Sequence, residues 1–533
     1  MTTRESAVDK WKAIPWKKLQ KVVFRLQVRI YKAQKNGNAL LVRKLQKLLL
    51  SSKAAKLLAI RQVTQLNMGK RTKGVDNKSA LTTAERLALY EHLFKNWKQW
   101  KHQPLKRVFI PKADGTQRGL GIPTISDRAY QCLLKYALEP AAEATFGARS
   151  YGFRPGRSCH DVQQKIFSNL NSNANGITKR ILELDIEKCF DKIDHKFLMQ
   201  SVQLPKAAKS GLFKAIKAGV RGEFPSSESG TPQGGVISPL LANLVLHGLE
   251  DIGNKYTKSG LEKRGQTRGF RYADDVVYIL QPNDDAGALR VRIDDFLASR
   301  GLKVKEAKTK LVHSTDGFDF LGWHLKVKPN GKFISTPSQA SYRQIKDRVK
   351  ETMKDNRFNL EQRIAKCGLI VRGWRNHHKF CDMSTDNLWF SRYWTWKYIR
   401  KQGSYHRQQT NQVIETAFPP VKWSVNSHIN VQGDKSPFDG DTLYWSDRSN
   451  KSYSGLTANL MKRQKHNCNQ CGLKFFPGDI FELHHIDGDC LNQKRTNMEI
   501  LHRGCHQHKS IHNLSIEKCE LERQFNAVRV SVN

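Results

Sequence analysis

Acidic side chains and long apolar runs are both scarce in this chain of 533 residues. No stretch of ~18 apolar residues occurs, so no membrane span is expected. The opening residues, MTTRESAVDKWKAIPW, lack the apolar core of a signal peptide, so secretion is not expected either. The ten cysteines are not spaced like a disulfide framework, and five of them follow residue 460. That clustering favours a metal site in a reducing compartment. Asp and Glu total 48 against 91 Lys and Arg, a net charge of +43. Such an excess points to a polyanionic partner, most simply nucleic acid. Ribosomal and chromatin proteins are equally basic without catalysing anything, so charge names a partner and not a reaction. The length argues for three or four domains.

The most informative stretch is GFRYADDVVYIL, Gly269 to Leu280. Apolar residues on both sides predict two strands. Aspartate is disfavoured inside strands and favoured at turns, which places Asp274 and Asp275 at or beside a hairpin tip. Two adjacent acids among apolar strands repel each other and call for a counter-charge. A solvated Asp-Asp turn would explain the dipeptide alone. A second acidic strand changes the balance. In RILELDIEKCFD, Arg180 to Asp191, Asp185 interrupts an apolar strand where a buried carboxylate has no structural use. Asp194 reads as the N-cap of the next helix. Asp185 lies far upstream of Asp274, so only tertiary folding can bring them together. Two or three Asp side chains converging on two Mg²⁺ ions suit a polymerase.

FRYADD, DIEKCFD and GTPQGGVISPLLAN (Gly230 to Asn243) together resemble the palm motifs of reverse transcriptases, in the wording of mobile group II intron reverse transcriptase/maturases. The resemblance implies a multidomain α+β protein, a right-hand polymerase with fingers, palm and α-helical thumb. Asp185 and Asp274 would hold the ions, and Asp275 would contribute charge. Phe190 would lie under the nucleotide sugar and exclude a 2′-hydroxyl, though plain core packing would also account for it. Gln233 would touch the nucleotide or template. Lys112 and Arg118, beside the Asp114-Gly115 turn of RVFIPKADGTQRGLGIPT, would touch the triphosphate, and Lys308 would handle pyrophosphate. In YGFRPGRSCHDV, Arg154 and Arg157 are expected on the template backbone. The helix SDRAYQCLLKYALEP is expected to be capped by Ser126 and to end at Pro140.

The flanking regions are basic. Residues 1–75 hold 19 Lys and Arg against 2 acids. Val22, Val23, Leu26, Ile30, Leu40, Leu41, Leu45 and Leu48 recur at helical spacing, predicting amphipathic helices with a phosphate-gripping face. The resemblance makes this an RNA-binding extension. Residues 76–335 would be fingers and palm, and 336–410 the thumb or maturase domain. In that domain, Trp374, Trp389, Trp394 and Trp396 interleave with Arg and Lys. Composition makes 411–460 a linker, whereas the resemblance makes it a DNA-binding segment.

Residues 461–533 carry a second constellation. Cys468-x-x-Cys471 and His502-x-x-Cys505 can close a tetrahedral Zn²⁺ site. FELHHIDGD, then Asn497 and His506, resemble an HNH endonuclease, a ββα fold around one metal. That likeness makes His485 the general base, His484 and His506 ligands of one Mg²⁺, and Asn497 the residue that orients His485. The second knuckle departs from the usual CxxC, and no proline follows the His pair. A zinc ribbon that only binds DNA remains an alternative.

Taken whole, the resemblance implies an RNA-directed DNA polymerase, splicing maturase and DNA endonuclease. Its partners would be group II intron RNA, target DNA and dNTPs, in the cytoplasm or nucleoid of a bacterium or in an organelle of bacterial origin. A splicing-only maturase and a reverse transcriptase of the retron or diversity-generating type remain as rivals.

Overall fold

One strand, Asp275–Leu280, is divided between two cores. Val276, Tyr278 and Leu280 enter a large core that reaches the N-terminal helices, while Val277 and Ile279 enter a second core around Trp323 and Leu325. Side chains alternate across a strand, so a strand covered on both faces must read as an unbroken apolar run. The sheet holding it has the order Arg268–Tyr272, Asp275–Leu280, Arg180–Leu184, Lys310–His313, antiparallel throughout. This arrangement comes from a computed structural model that describes residues 10–512, apart from 12, 80, 112–114, 255–264, 384–387, 402–405, 419–427, 454, 476–478, 480, 489–491 and 493.

Helices Trp16–Lys35, Ala39–Ser51 and Lys53–Arg61 pack against helix Ile125–Glu143. Of the expected apolar stripe, Val23, Leu26, Ile30 and Leu45 are buried. Val22, Leu40, Leu41 and Leu48 face outward, and Val42, Leu49 and Leu50 fill the core instead. Helix Ile125–Glu143 differs from expectation at both ends. Thr124, not Ser126, is its N-cap, accepting the Asp127 N–H at 3.1 Å. It also continues through Pro140. Proline has no N–H to give the Tyr136 carbonyl, and Gln27 Nε2 from the N-terminal helix donates there instead, at 3.2 Å.

The hairpin expected in the fingers pairs Lys106–Pro111 with Gln117–Ile122. Its tip, with Lys112 and Asp114, lies outside the described residues. The thumb region comprises helices Gln339–Lys354, Leu360–His377, Trp389–Lys401 and Arg407–Ala417 around Ile345, Val349, Met353 and Ile364. Trp374, Trp394 and Trp396 pack half-buried against this core; the Trp389 side chain is outside the described residues. The boundaries drawn at 335, 410 and 460 fall inside strand Phe333–Pro337, helix Arg407–Ala417 and helix Gly455–Arg463.

Residues 428–453 are no linker. Their helix Thr442–Ser452 presents Trp445, whose ring would meet a Cβ at Gly156 within 2.5 Å. At the C-terminal end, antiparallel strands Phe481–His485 and Met498–His502 lead into helix Arg503–His512, a ββα unit. Among the described residues no helix is long and apolar enough to cross a membrane.

Candidate active site

Sheet register brings the three acids together. Leu184 pairs with Val276, and Tyr272 pairs with Asp275 across a turn made by Ala273 and Asp274. Asp185 directly follows Leu184, so the same register sets it abreast of Asp275. All three carboxylates line one cleft of about 1000 Å³. Burial, and then the Asp185 charge, raise the Asp274 carboxyl. Asp275 is pushed up to about 7 by desolvation in the cleft and then by Asp274 and Asp185, with Lys308 opposing. Lys308 Nζ stands 3.0 Å from Asp185 Oδ2.

Arg118, Phe190 and Gln233 line the same cleft. The Phe190 ring meets Phe153 edge-on at 6.4 Å between centroids. Gln233 donates to Asp191 Oδ1 at 3.4 Å, and its carbonyl accepts the Gly121 N–H at 2.8 Å, tying the palm to the fingers. Of the residues expected here, Lys112 alone lies outside the described set.

The C-terminal unit holds a second cluster. Ligand atoms of Cys468, Cys471, His502 and Cys505 all lie within 4.8 Å of one another. His502 turns Nδ1 to Cys471 at 3.4 Å and Nε2 to Asp479 at 3.5 Å, the second-sphere pairing common for a ligating imidazole. The donor set therefore fits a tetrahedral cation. A second group, Cys159, His160 and His377, also lies within ligand distance. There His160 Nε2 bonds the His377 carbonyl and His377 Nε2 bonds the Leu321 carbonyl, both at 2.9 Å, so those nitrogens tie helix Leu360–His377 to the residues it packs on.

His484 and His506 face each other with ring centroids 5.1 Å apart. Glu482 holds His506 Nδ1 at 2.7 Å. Among the described residues His484 Nε2 is buried without a hydrogen-bond partner, and desolvation, with His506 adding to it, pushes His484 down to about 4. Asn497 does not bond His485 directly. Its carbonyl accepts the Ile486 N–H at 2.8 Å, its Oδ1 the Asp487 N–H at 3.1 Å, and its Nδ2 donates to Asp487 Oδ1 at 2.8 Å. It fixes the turn that His485 leads into.

The family described as reverse transcriptase (RNA-dependent DNA polymerase) matches residues 110–325. The N-terminal domain of reverse transcriptase matches 11–93, and the group II intron maturase-specific domain matches 342–417. Maturase-like protein 1 of Euglena gracilis is 34% identical over 370 residues, which cover 69% of this chain and 77% of that protein. The chain belongs to the group II intron reverse transcriptase/maturase family. Protein YkfC of Escherichia coli (strain K12) is 33% identical over 50% of this chain and 78% of its own length. Group II intron-encoded protein LtrA of Lactococcus lactis subsp. cremoris is 27% identical, over 53% and 57% respectively.

In this reverse transcriptase the residue that sequence reasoning passed over is Arg271. It is fully buried in the hairpin that carries Asp274 and Asp275 and forms an ion pair with Glu250 at 2.8 Å, both side chains inaccessible to solvent. It also donates to Asn243 Oδ1 at 2.9 Å, Ser150 Oγ at 2.8 Å and the Ala273 carbonyl at 3.1 Å. Asn243 in turn donates to the Gly152 carbonyl at 2.8 Å. The signal was present, because an arginine inside an apolar strand is as anomalous as Asp185.

Arg154 and Arg157 correct an expectation. Arg154 is buried and forms an ion pair with Glu143 at 2.9 Å, while donating to the Gly147 and Ser150 carbonyls. Arg157, also buried, donates to the Ala148, Gly433 and Lys435 carbonyls. Both side chains are enclosed by protein groups.

Proposed function

We propose that this maturase is an RNA-directed DNA polymerase whose C-terminal unit nicks DNA, so that intron RNA is copied from the nick. The observation that carries the polymerase reading is the convergence of Asp185, Asp274 and Asp275 in a cleft with Arg118, Phe190, Gln233 and Lys308. Three crowded carboxylates, one pushed up to about 7, form a site that divalent cations relieve. Asp185 and Asp274 would hold two Mg²⁺, with Asp275 adding charge. When bound, the ions activate a primer 3′-hydroxyl and offset charge on the leaving pyrophosphate. Phe190 would close the space under the sugar and so select dNTPs. Arg118 and Lys112 would meet the triphosphate, Gln233 the nucleotide or template, and Lys308 would exchange Asp185 for pyrophosphate. Primer extension on poly(rA)/oligo(dT) tests this reading. Wild type should incorporate dTTP and Asp274→Asn should not; an inactive wild type would sink the polymerase claim.

The nuclease reading draws on the ββα unit and on the buried, unpartnered Nε2 of His484 facing His506. Those two imidazoles would hold one Mg²⁺, His485 would take the proton of the attacking water, and Asn497 would hold its turn. Cys468, Cys471, His502 and Cys505 would hold Zn²⁺ as a structural centre. The basic N-terminal helices and thumb would grip intron RNA and assist its splicing, with target DNA reached through residues 428–453. Nicking of a supercoiled target by the wild-type ribonucleoprotein and by His485→Ala separates the roles. Equal cleavage by both would refute the assignment of the base.

A further inference from the structure

Arg61 closes the helix Lys53–Arg61 and is only 5% exposed. Its guanidinium lies over the Trp16 ring, 4.4 Å from the centroid. Among the described residues Nε and Nη1 are buried without hydrogen-bond partners, and Nη2 reaches Cys505 Sγ at 3.8 Å. A desolvated guanidinium needs a nearby anion. Other cations crowd it instead: Arg86 is close enough for mutual repulsion, and Lys70 stands beside Arg86. Lys70 faces Cys505 and Glu482 of the C-terminal unit, and Arg86 faces Glu85 of its own helix.

Three further contacts join the same two regions. Gln20 Nε2 donates to the Lys474 carbonyl at 3.0 Å, and Gln20 Oε1 accepts the Lys474 N–H at 2.6 Å. Gly504 rests so closely on the Gln65 carbonyl that any Cβ there would overlap it. Leu473, between the two knuckles, belongs to the core built by the N-terminal helices.

We infer that the Cys468–Cys471–His502–Cys505 centre is a clasp for the N-terminal helices, and that its charge is the counter-ion Arg61 otherwise lacks. The inference rests on reading that cluster as a metal centre. Three thiolates and one neutral imidazole around a divalent cation leave about one net negative charge, spread over the sulfurs. Without the cation nothing would hold Cys468 and Cys471 against His502 and Cys505, and the surface that Gln20, Arg61 and Gln65 contact would loosen. Metal occupancy would then order both the ββα unit and the helices at 16–66, whose outer face is basic. A centre placed to serve the nuclease would in this way also govern how the polymerase half holds RNA.

The test is hydrogen–deuterium exchange on the full-length protein with its zinc content measured alongside. Loaded wild type should hold about one zinc per chain. Chelation should speed exchange of amides in 53–66 about ten-fold, and added Zn²⁺ should reverse it. Arg61→Met should keep its zinc yet show the faster exchange before chelation, with little further change after it. If Arg61→Met does not fold, half-buried Gln20→Ala carries the test, and should narrow the difference between loaded and stripped protein. Zinc present, with exchange at 53–66 unmoved by stripping and only 464–512 loosened, would overturn the clasp. A chain that holds no zinc would instead refute the metal centre, and the clasp with it.

Discussion

Asp275 is one residue through which pH acts on this protein. Its folded-state pKa of about 7 lies well above the ordinary aspartate value of 3.8. The folded state therefore binds more protons than the unfolded one between those two values, and stability falls as pH rises through that window. Asp275→Asn removes the ionisation. In metal-free protein its melting temperature should match wild type near pH 4 and exceed it above pH 7. The gain should be on the order of 1 kcal/mol, because the side chain opens onto solvent. Scans at several pH values with EDTA check this, and a gain that grew toward acid would contradict it. Arg271 acts in the opposite sense. Arg271→Met leaves Glu250 as a buried, unpaired charge and should cost about 3–5 kcal/mol by urea titration. The double variant Arg271→Met/Glu250→Leu should recover much of that loss, since no orphan charge remains. Phe190→Val should raise ribonucleotide incorporation while dNTP turnover persists, and an unchanged sugar preference would return Phe190 to core packing.

At the scale of elements, the hairpin that carries Asp274 and Asp275 is held from outside the sheet. Ala273 adopts φ +59° at its turn, a left-handed conformation that non-glycine residues rarely take. Gly152 lies directly beneath, and a Cβ there would sit inside van der Waals contact of the Ala273 backbone nitrogen. Gly152→Ala must therefore displace the hairpin tip. Because displacement of reacting groups by about 1 Å costs on the order of 100-fold in rate, polymerase turnover should drop far more than the melting temperature does. Equal loss of both would mean global damage. The hairpin and the Asp185 strand were legible because their signals are local, apolar runs broken by aspartates, whereas the ββα unit was implied only by the likeness of FELHHIDGD, Asn497 and His506 to an HNH nuclease. The supports were not, because they come from elsewhere in the chain. Pro140 reads as a helix end until Gln27, on another helix, takes over the carbonyl it leaves. Arg154 and Arg157 read as phosphate contacts until Glu143 and the carbonyls around them enclose their guanidinium groups.

Over the whole molecule, a net charge of +43 favours dispersal of basic segments unless particular acids gather them. Asp161 is such an acid, and its short side chain gave no sign of this in the sequence. Within its own helix it caps the start, accepting the Ser158 N–H at 2.7 Å. From the far segment it receives Arg448 at 2.8 Å, His428 at 3.0 Å and the Val431 N–H at 3.0 Å. Burial pushes its carboxyl up, but the His428 hydrogen bond and the Arg448 charge outweigh that and hold it well below the usual range. Composition made 411–460 a linker because its Pro, Gly and clustered Asp, Ser and Asn read as irregular structure. What docks residues 428–453 is a carboxylate more than two hundred residues upstream. Asp161→Asn keeps the shape and part of the hydrogen bonding but removes the charge. The loss should be about 3 kcal/mol, felt first as local release of residues 428–453. Limited proteolysis should then cut within 428–453 at protease levels that leave wild type intact, while primer extension on a preformed RNA–DNA hybrid persists. Cleavage no faster than in wild type would mean that Trp445 packing against Gly156, and not the charge, holds the segment in place.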